Sequence, residues 1–100
     1  MQSRIFVYTI INVHITFDPA KDEANFAKHG VSLGLATELE WDTALTGPDT
    51  RKDYDESRMG CIGYVGLRLY VLVHVDRPDE RRIISMRKEN RREMTRYAET

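Results

Sequence analysis

The chain is organised around a short β-like run that passes directly into a basic helical run, residues 80–97, ERRIISMRKENRREMTRY. From Arg81 to Arg96 this segment has seven bases and two acids, an excess of five positive charges in a chain of net charge −1. A local excess of this kind attracts polyanions and holds phosphates, whatever the average charge of the protein. We therefore interpret the upstream sequence as a scaffold that presents a basic surface.

Composition predicts one small domain. The 100 residues are 41% hydrophobic and 31% charged, which suits a single soluble domain with a modest core. Cys61 is the single cysteine, so an internal disulfide is impossible and a reducing, cytoplasmic location is expected. The apolar stretch 5–13 is too short to span a membrane. We assign residues 1–14 to an N-terminal extension or first strand, and residues 15–100 to the domain.

Capping signals predict two short helices near the start of the domain. Asp18-Pro19 combines a typical N-cap with a proline that fits the first helical position. The first helix is expected over residues 19–28 and is ended by Gly30, a typical C-terminal residue. Ser32 is the expected cap of a second helix that continues to about Glu40. Together the two helices form an αα-hairpin.

Period-two alternation and turn residues predict strands before and after the helices. The expected strands are Phe6–Phe17, Asp42–Thr46, Ser57–Tyr64, Leu67–Val75 and Glu80–Met86, and the last expected element is a helix over Glu89–Ala98. The predicted fold class is α+β, with the N-terminal helical hairpin packed on a small antiparallel β-sheet and followed by a C-terminal helix.

Alternation also predicts which side chains share a face of the sheet. In the strand 67–75, one face is continuously apolar and the other carries His74, so we expect the second face to hold the chemistry. Arg58 reaches that face if the strand register permits. In the last strand, Arg81, Ile83, Ser85 and Arg87 are expected to alternate with Arg82, Ile84, Met86 and Lys88.

Motifs distributed over roughly residues 15–99 resemble the BrnT family of toxins. They are Phe17-Asp18-Pro19-Ala20-Lys21, Asn25, Lys28-His29-Gly30-Val31-Ser32, Ala44-Leu45-Thr46, Arg58, Ile62-Gly63, Val73-His74, and Arg82-Ile83-Ile84-Ser85-Met86-Arg87 with Arg91, Arg92, Glu93 and Tyr97. Each motif alone is weak, but the order and spacing of the set are specific. The family usually opens with Trp-Asp-Pro where this chain has Phe17, and the segment before Ile15 has no counterpart.

The resemblance implies an endoribonuclease toxin of a type II toxin–antitoxin system that inhibits translation and growth. It also implies a compact RelE-like fold and a cognate BrnA-like antitoxin that binds both the toxin and operator DNA. We expect a hetero-oligomer with two copies of each protein, because a small domain with a concentrated cationic surface suits an acidic partner. This chain shows no DNA-reading element, so operator DNA is contacted through the antitoxin.

RNA cleavage without a metal uses the 2′-OH as nucleophile, so it needs a base, cations that stabilise the phosphorane, and an acid for the leaving oxygen. We expect Arg58 and Arg87 to stabilise the transition state, each by about 2 to 4 kcal/mol. The favoured acid or base is His74, with Glu80 and Glu93 as alternatives that need raised pKa values. The residues expected to position the RNA are Arg82, Lys88, Arg91 and Arg92.

Other interpretations stay open at this stage. His74 in a strand also fits a half-buried packing residue. His14, His29 and His74 lack the spacing of a metal site, so no metal or other cofactor is expected. The chain also fits a catalytically inactive toxin relative that serves as antitoxin-binding partner or co-repressor. Such a protein would form the complex without arresting growth.

Overall fold

A computed structural model describes residues 14–49 and 56–90, which form an α+β fold with one five-stranded sheet. The elements in chain order are β1 (His14–Thr16), α1 (Pro19–His29), a first 3₁₀ helix (Leu33–Glu38), a second 3₁₀ helix (Trp41–Thr43), β2 (Leu45–Pro48), β3 (Met59–Val65), β4 (Arg68–Arg77) and β5 (Glu80–Lys88). The predicted extension before His14 and the predicted C-terminal helix beyond Asn90 lie outside the described residues. None of the helices described is long and apolar enough to cross a membrane.

The start and the end of α1 are set by the predicted caps. Asp18 Oδ1 accepts a hydrogen bond of 2.8 Å from the Ala20 N–H. Gly30 adopts φ 70° and donates its N–H to Phe26 O, the left-handed ending that glycine permits without strain. The predicted first helix is therefore confirmed, one residue longer than expected.

The predicted second α-helix is wrong, because the chain forms two short 3₁₀ helices there. Ser32 is the cap, as expected, and accepts from the Gly34 N–H at 3.2 Å. Buried positions Leu33, Ala36 and Leu39 are three residues apart, and a 3₁₀ helix has three residues per turn, so it keeps them on one line. The described part of the chain thus has one α-helix, and no αα-hairpin forms.

The sheet is mixed, where the prediction was a purely antiparallel sheet. The strand order is β1-β5-β4-β3-β2, and β1 runs parallel to β5 while the other neighbours are antiparallel. β1 pairs only with residues 80–82. Beyond β1, the side chain of Asn25 in α1 binds the same edge of β5. Its amide donates to Met86 O at 2.8 Å and accepts from the Met86 N–H at 3.2 Å. A side-chain amide thus continues the pairing that the short strand β1 leaves incomplete.

A β-bulge interrupts β5 and changes which residues share a face. Val73 pairs with Ser85 but His74 pairs with Ile83, so Ile84 is the extra residue. The regular alternation predicted for this strand is therefore wrong. Each residue of β5 that precedes Ile84 therefore lies on the opposite face of the sheet from the face that an uninterrupted strand would give it.

The hydrophobic core lies between the helices and one face of the sheet, which we call the core face. It contains Val31, Leu33, Ala36, Leu39, Cys61, Tyr70, Leu72, Ile83 and Met86. Cys61, Leu72 and Met86 stand side by side across three strands. In β4 this is the face that carries His74, which was predicted to be the chemical face. The prediction failed because β4 is apolar on both faces: Leu69, Val73 and Val75 on the other face are buried too.

Candidate active site

The face of the sheet opposite to the core face gathers several arginines, and we call it the arginine face. In β5 it carries Arg82, which pairs with Val75, and Arg87, which pairs with Val71. Ser85 lies between them opposite Val73. Without the bulge at Ile84, Arg82 would belong to the core face. The bulge therefore brings the two arginines of β5 to one surface.

Arg58, the residue before β3, joins this surface. Its carbonyl accepts the Asp49 N–H at 2.8 Å, which continues the pairing of β2 and β3 by one step. Cys61 belongs to the core face, so alternation along β3 places Arg58 on the arginine face. Arg58 was expected to reach the face of His74 if the strand register permitted. The register instead puts the two side chains on opposite faces of the sheet.

The register also gives the spacing of these arginines. One step beyond the Met59–His74 pair, Arg58 is expected opposite Val75, which pairs with Arg82 on its other side. Adjacent strands are about 4.8 Å apart, so the backbones of Arg58 and Arg82 are about 10 Å apart. Arg87 is four register steps further along the sheet, about 13 Å from Arg82. Arg58 and Arg87, which were predicted to hold one phosphate, are thus further apart along the sheet than Arg58 and Arg82 are.

Glu80 lies beside Arg82, and one of its carboxylate oxygens accepts three hydrogen bonds. Glu80 Oε2 accepts from Thr16 Oγ1 at 2.8 Å, from Arg82 Nε at 3.2 Å and from Arg77 Nη1 at 3.4 Å. The hydrogen bond from Thr16 and the hydrogen bond and charge of Arg82 lower the pKa of the Glu80 carboxyl. A general acid needs a raised pKa, so the direction of this shift does not favour Glu80 as the acid. The carboxylate is instead ionised, as a general base must be.

His74 lies on the core face in a second polar cluster. Its side chain is 0% exposed, and its Nδ1–H donates to Asp76 Oδ1 at 2.8 Å. Asp76 in turn accepts from Arg81 Nε at 2.8 Å and from Arg81 Nη2 at 3.1 Å. Trp41 contacts both His74 and Arg81. The centre of its ring is 5.5 Å from the centre of the His74 ring, in an edge-to-face arrangement, and 4.5 Å from Arg81 Cζ. His74 therefore fits the prediction of a packing residue better than that of an acid or base, and its side chain is fully buried where half burial was expected.

Burial and charge set the protonation states in this cluster. Desolvation lowers the pKa of His74, and the charge of Arg81 lowers it further, although Asp76 opposes both effects. Desolvation raises the pKa of Asp76, but the hydrogen bonds from Arg81 and the neighbouring charges outweigh it, so the pKa falls below its ordinary value. At neutral pH the cluster therefore contains a neutral imidazole, a carboxylate and a guanidinium.

The other predicted residues are distributed as follows. Lys88 pairs with Tyr70 at the far end of β5, on the core face, so the structure separates it from Arg82. His29 is at the C-terminal end of α1, where desolvation and the charges of Lys28 and Arg87 lower its pKa. The predicted site residues Arg91, Arg92 and Glu93 lie outside the described residues.

Sequence reasoning missed the cluster of Trp41, Asp76 and Arg81. Asp76 follows His74 by two residues, so alternation alone placed both on one face, and this signal was available. Arg81 was not recognised because regular alternation put it with Arg87. In the described part of the chain, no group of three His, Cys, Asp or Glu side chains is arranged to hold a metal ion.

Comparison with known proteins defines the class. A sequence model described as the ribonuclease toxin, BrnT, of type II toxin–antitoxin systems matches residues 17–93, so the class is that of the ribonuclease toxins of these systems. The chain belongs to the BrnT family.

A solved structure agrees with this assignment. The fold is similar to the 1.1 Å crystal structure of the Brucella abortus ribonuclease toxin BrnT, with a TM-score of 0.61 and 25% sequence identity. The match covers 79% of this chain and 99% of that chain. A comparison with curated protein sequences finds no match.

Proposed function

We propose that the chain is a metal-independent endoribonuclease toxin that cleaves RNA on the arginine face, acts in the cytoplasm and so inhibits translation and growth. The observation that carries this proposal is the bulge at Ile84, which gathers Arg82 and Arg87 on the same surface as Arg58. Guanidinium groups carry a permanent charge and bind phosphate oxygens in pairs. Membership of a ribonuclease toxin family supports RNA as the polyanion.

The arginines supply the electrostatic part of the reaction. Attack of the 2′-OH on phosphorus places extra negative charge on the non-bridging oxygens, which fixed cations stabilise more than they stabilise the ground state. We assign this role to Arg82 and Arg58 at one phosphate, and we assign Arg87 to the neighbouring phosphate. Arg91 and Arg92 are proposed to bind further phosphates of the RNA. Lys88 stays a proposed RNA-positioning residue, but it would contact the strand from the core face at the far end of β5.

For proton transfer we propose Glu80, with Glu93 as the second candidate. Glu80 lies on the same face as Arg82 and is ionised, and all three of its hydrogen bonds reach Oε2, which leaves Oε1 to accept the 2′-OH proton. A lowered pKa makes it a weak base, so the arginines carry most of the rate enhancement. His74 is fully buried on the other face, and we assign it a positioning role instead.

Cleavage of RNA by purified protein in excess EDTA tests the proposal. Arg58→Ala and Arg82→Ala are each expected to lower the rate about 100-fold, the cost of removing one transition-state donor, whereas Arg87→Ala should mainly weaken RNA binding. Arg68→Ala is the matched control, because Arg68 is in the same sheet but at the distant end of β4, paired with Glu89 at 3.6 Å. It should change the rate less than about twofold. A requirement for added metal ion, or an equal loss in the Arg68 variant, contradicts the proposal.

The separation of His74 from the arginines also favours a second function. Because the predicted acid and base are not assembled around one phosphate, the chain fits an inactive toxin relative that acts as antitoxin partner or co-repressor. Such a protein would bind its antitoxin but leave RNA intact in the EDTA experiment. Cleavage that depends on Arg82 would exclude this alternative.

We further propose a cognate, BrnA-like antitoxin that covers the arginine face. Membership of a type II toxin–antitoxin family supports a partner protein. The arginines of this face are suited to acidic side chains as well as to phosphates. The complex is proposed to contain two copies of each protein and to contact operator DNA through the antitoxin.

A further inference from the structure

Trp41 and Arg81 form a fixed stack on the core face. Arg81 Cζ is 4.5 Å from the centre of the Trp41 ring, within cation–π range. The ring is held by its Nε1–H, which donates to Ala36 O at 3.0 Å. Arg81 is held by two hydrogen bonds to Asp76, and 25% of its side chain is exposed. Trp41 thus covers the guanidinium group on one side, and the exposed part of the Arg81 side chain is left for a ligand.

The Arg81 guanidinium in this stack is better suited to bind a planar ring than a phosphate. Asp76 occupies the Nε and Nη2 edge that an arginine offers to a phosphate, and its charge neutralises the guanidinium. A phosphate would meet the negative charge of this carboxylate, and only the Nη1 side of the guanidinium would remain to bind it. A flat guanidinium face remains, which is a surface on which unpaired nucleobases stack in RNA-binding proteins.

His74 holds Asp76, and through it Arg81, in this position. Its ring is completely buried, and within the described part of the chain its Nε2 has no hydrogen-bond partner. An apolar side chain would fill the same space without leaving a buried polar atom unsatisfied. The imidazole is therefore explained by its other nitrogen, which orients Asp76 and, through Asp76, the plane of Arg81.

We propose that Arg81, supported by Trp41, stacks a nucleobase of the RNA strand whose phosphates lie on the arginine face. The inference rests on the proposed function and adds a base-binding site to it. Arg81 and Arg82 are adjacent in β5, close to the turn that joins β4 to β5, and lie on opposite faces, so an RNA strand that passes around this end of the sheet reaches both. A purine has the larger ring system and stacks more strongly, so adenine is bound in preference to uracil.

Binding of uncleavable RNA tests this site. The strands are 2′-O-methyl hexanucleotides of adenosine or of uridine, whose blocked 2′-oxygen cannot attack. Fluorescence anisotropy of a labelled strand measures binding, and emission of Trp41, the single tryptophan, reports on the site itself. The adenosine strand is expected to bind more tightly than the uridine strand and to change Trp41 emission.

Arg81→Lys separates stacking from structure, because lysine keeps a positive charge for Asp76 but has no planar face. It should weaken adenosine binding about fivefold or more and leave uridine binding within about twofold. Arg68→Lys, the matched control, should change neither. Arg81→Gln, which has a planar amide, serves as a second variant if Arg81→Lys melts at a much lower temperature than the wild type.

Adenosine binding without a change in Trp41 emission overturns the inference, and so does an equal loss for both strands in Arg81→Lys. Either result leaves cleavage on the arginine face untouched, because cleavage is measured separately on ordinary RNA. Failure of the proposed function is recognised by intact RNA in that separate assay. If neither strand binds at all, the base-binding site is overturned together with the arginine face as an RNA site.

Discussion

At the scale of single residues, the buried side chain of His74 makes the stability of the folded protein depend on pH. Its neutral ring fits between Trp41 and Asp76, with Nδ1–H donating to the carboxylate. Protonation would add a proton on Nε2, where no acceptor is present in the described part of the chain. An unsatisfied buried donor costs about 1–3 kcal/mol, and the favourable charge of Asp76 offsets this only in part.

The first prediction concerns stability against pH. The pKa of His74 is lowered in the folded state, so between that pKa and the ordinary value of 6.5 the unfolded chain binds more protons than the folded one. Stability therefore rises with pH in this window, is complete above 6.5 and is lost as the pH falls. Thermal unfolding between pH 8 and 5 should show this slope.

Two variants serve as controls for the slope. His29, whose pKa is also lowered, contributes to the slope in the same direction, so His74→Leu should reduce the slope without abolishing it. His14→Gln, at an exposed position of β1, should leave the slope unchanged. Asp76 contributes in the same direction, but only as the pH falls below its ordinary pKa of 3.8, so it does not affect this range. An unchanged slope in His74→Leu would show that His74 is not the titrating group.

At the scale of elements, the bulge in β5 decides which arginine belongs to which surface. A regular strand would put Arg81 with Arg87 on the arginine face, and Arg82 beside Trp41. The observed register does the reverse. The site is thus determined by one extra residue, Ile84, and not by the composition of the strand.

The second prediction follows from this register and needs no RNA. Arg81→Gln removes the cation from the Trp41 ring and should shift the emission of Trp41 in the free protein. Arg82→Gln should leave the emission unchanged, because Arg82 is on the other face, bound to Glu80 at 3.2 Å. The reverse pattern would indicate a strand without the bulge. Because both variants remove one charge from neighbouring positions, each is the control of the other.

At the scale of the whole molecule, the sequence predicted what local chemistry determines. Asp18-Pro19 and Gly30 predicted α1, and period-two runs located β3, β4 and β5 within about two residues. The bulge was not predictable, because Ile83 and Ile84 are equally apolar. The parallel pairing of β1 was also beyond pattern reasoning, since it depends on a three-residue strand and on Asn25, which is far from β5 in sequence.

For the candidate site, the residue types were predictable but their grouping was not. A basic segment near the C-terminal end predicted an anion-binding surface, and Arg82 and Arg87 do share one. His74 was assigned to the same centre because alternation cannot show which face of β4 packs on the helices. Both faces of that strand are apolar, so only the tertiary structure distinguishes them.

The last prediction concerns the complex with the antitoxin. If acidic side chains cover the arginine face, Arg82→Glu combined with Arg87→Glu should release the antitoxin by like-charge repulsion, whereas Arg68→Glu at the distant end of β4 should not. Co-expressed wild-type proteins should elute at the mass of two copies of each, and the double variant at the mass of a smaller species.

Salt separates charge from loss of fold as the cause of that release. Attraction between exposed charges is screened over about 10 Å at 0.1 M salt, so the affinity of the wild-type complex should fall as salt is added. The affinity of the double variant, which lacks the attraction, should not fall in this way. Because the same arginines are proposed to hold RNA phosphates, antitoxin and RNA must compete for one surface, and antitoxin binding should block cleavage stoichiometrically. A lone monomer after co-expression, or an antitoxin that binds without blocking cleavage, would show that the partner occupies another part of the molecule.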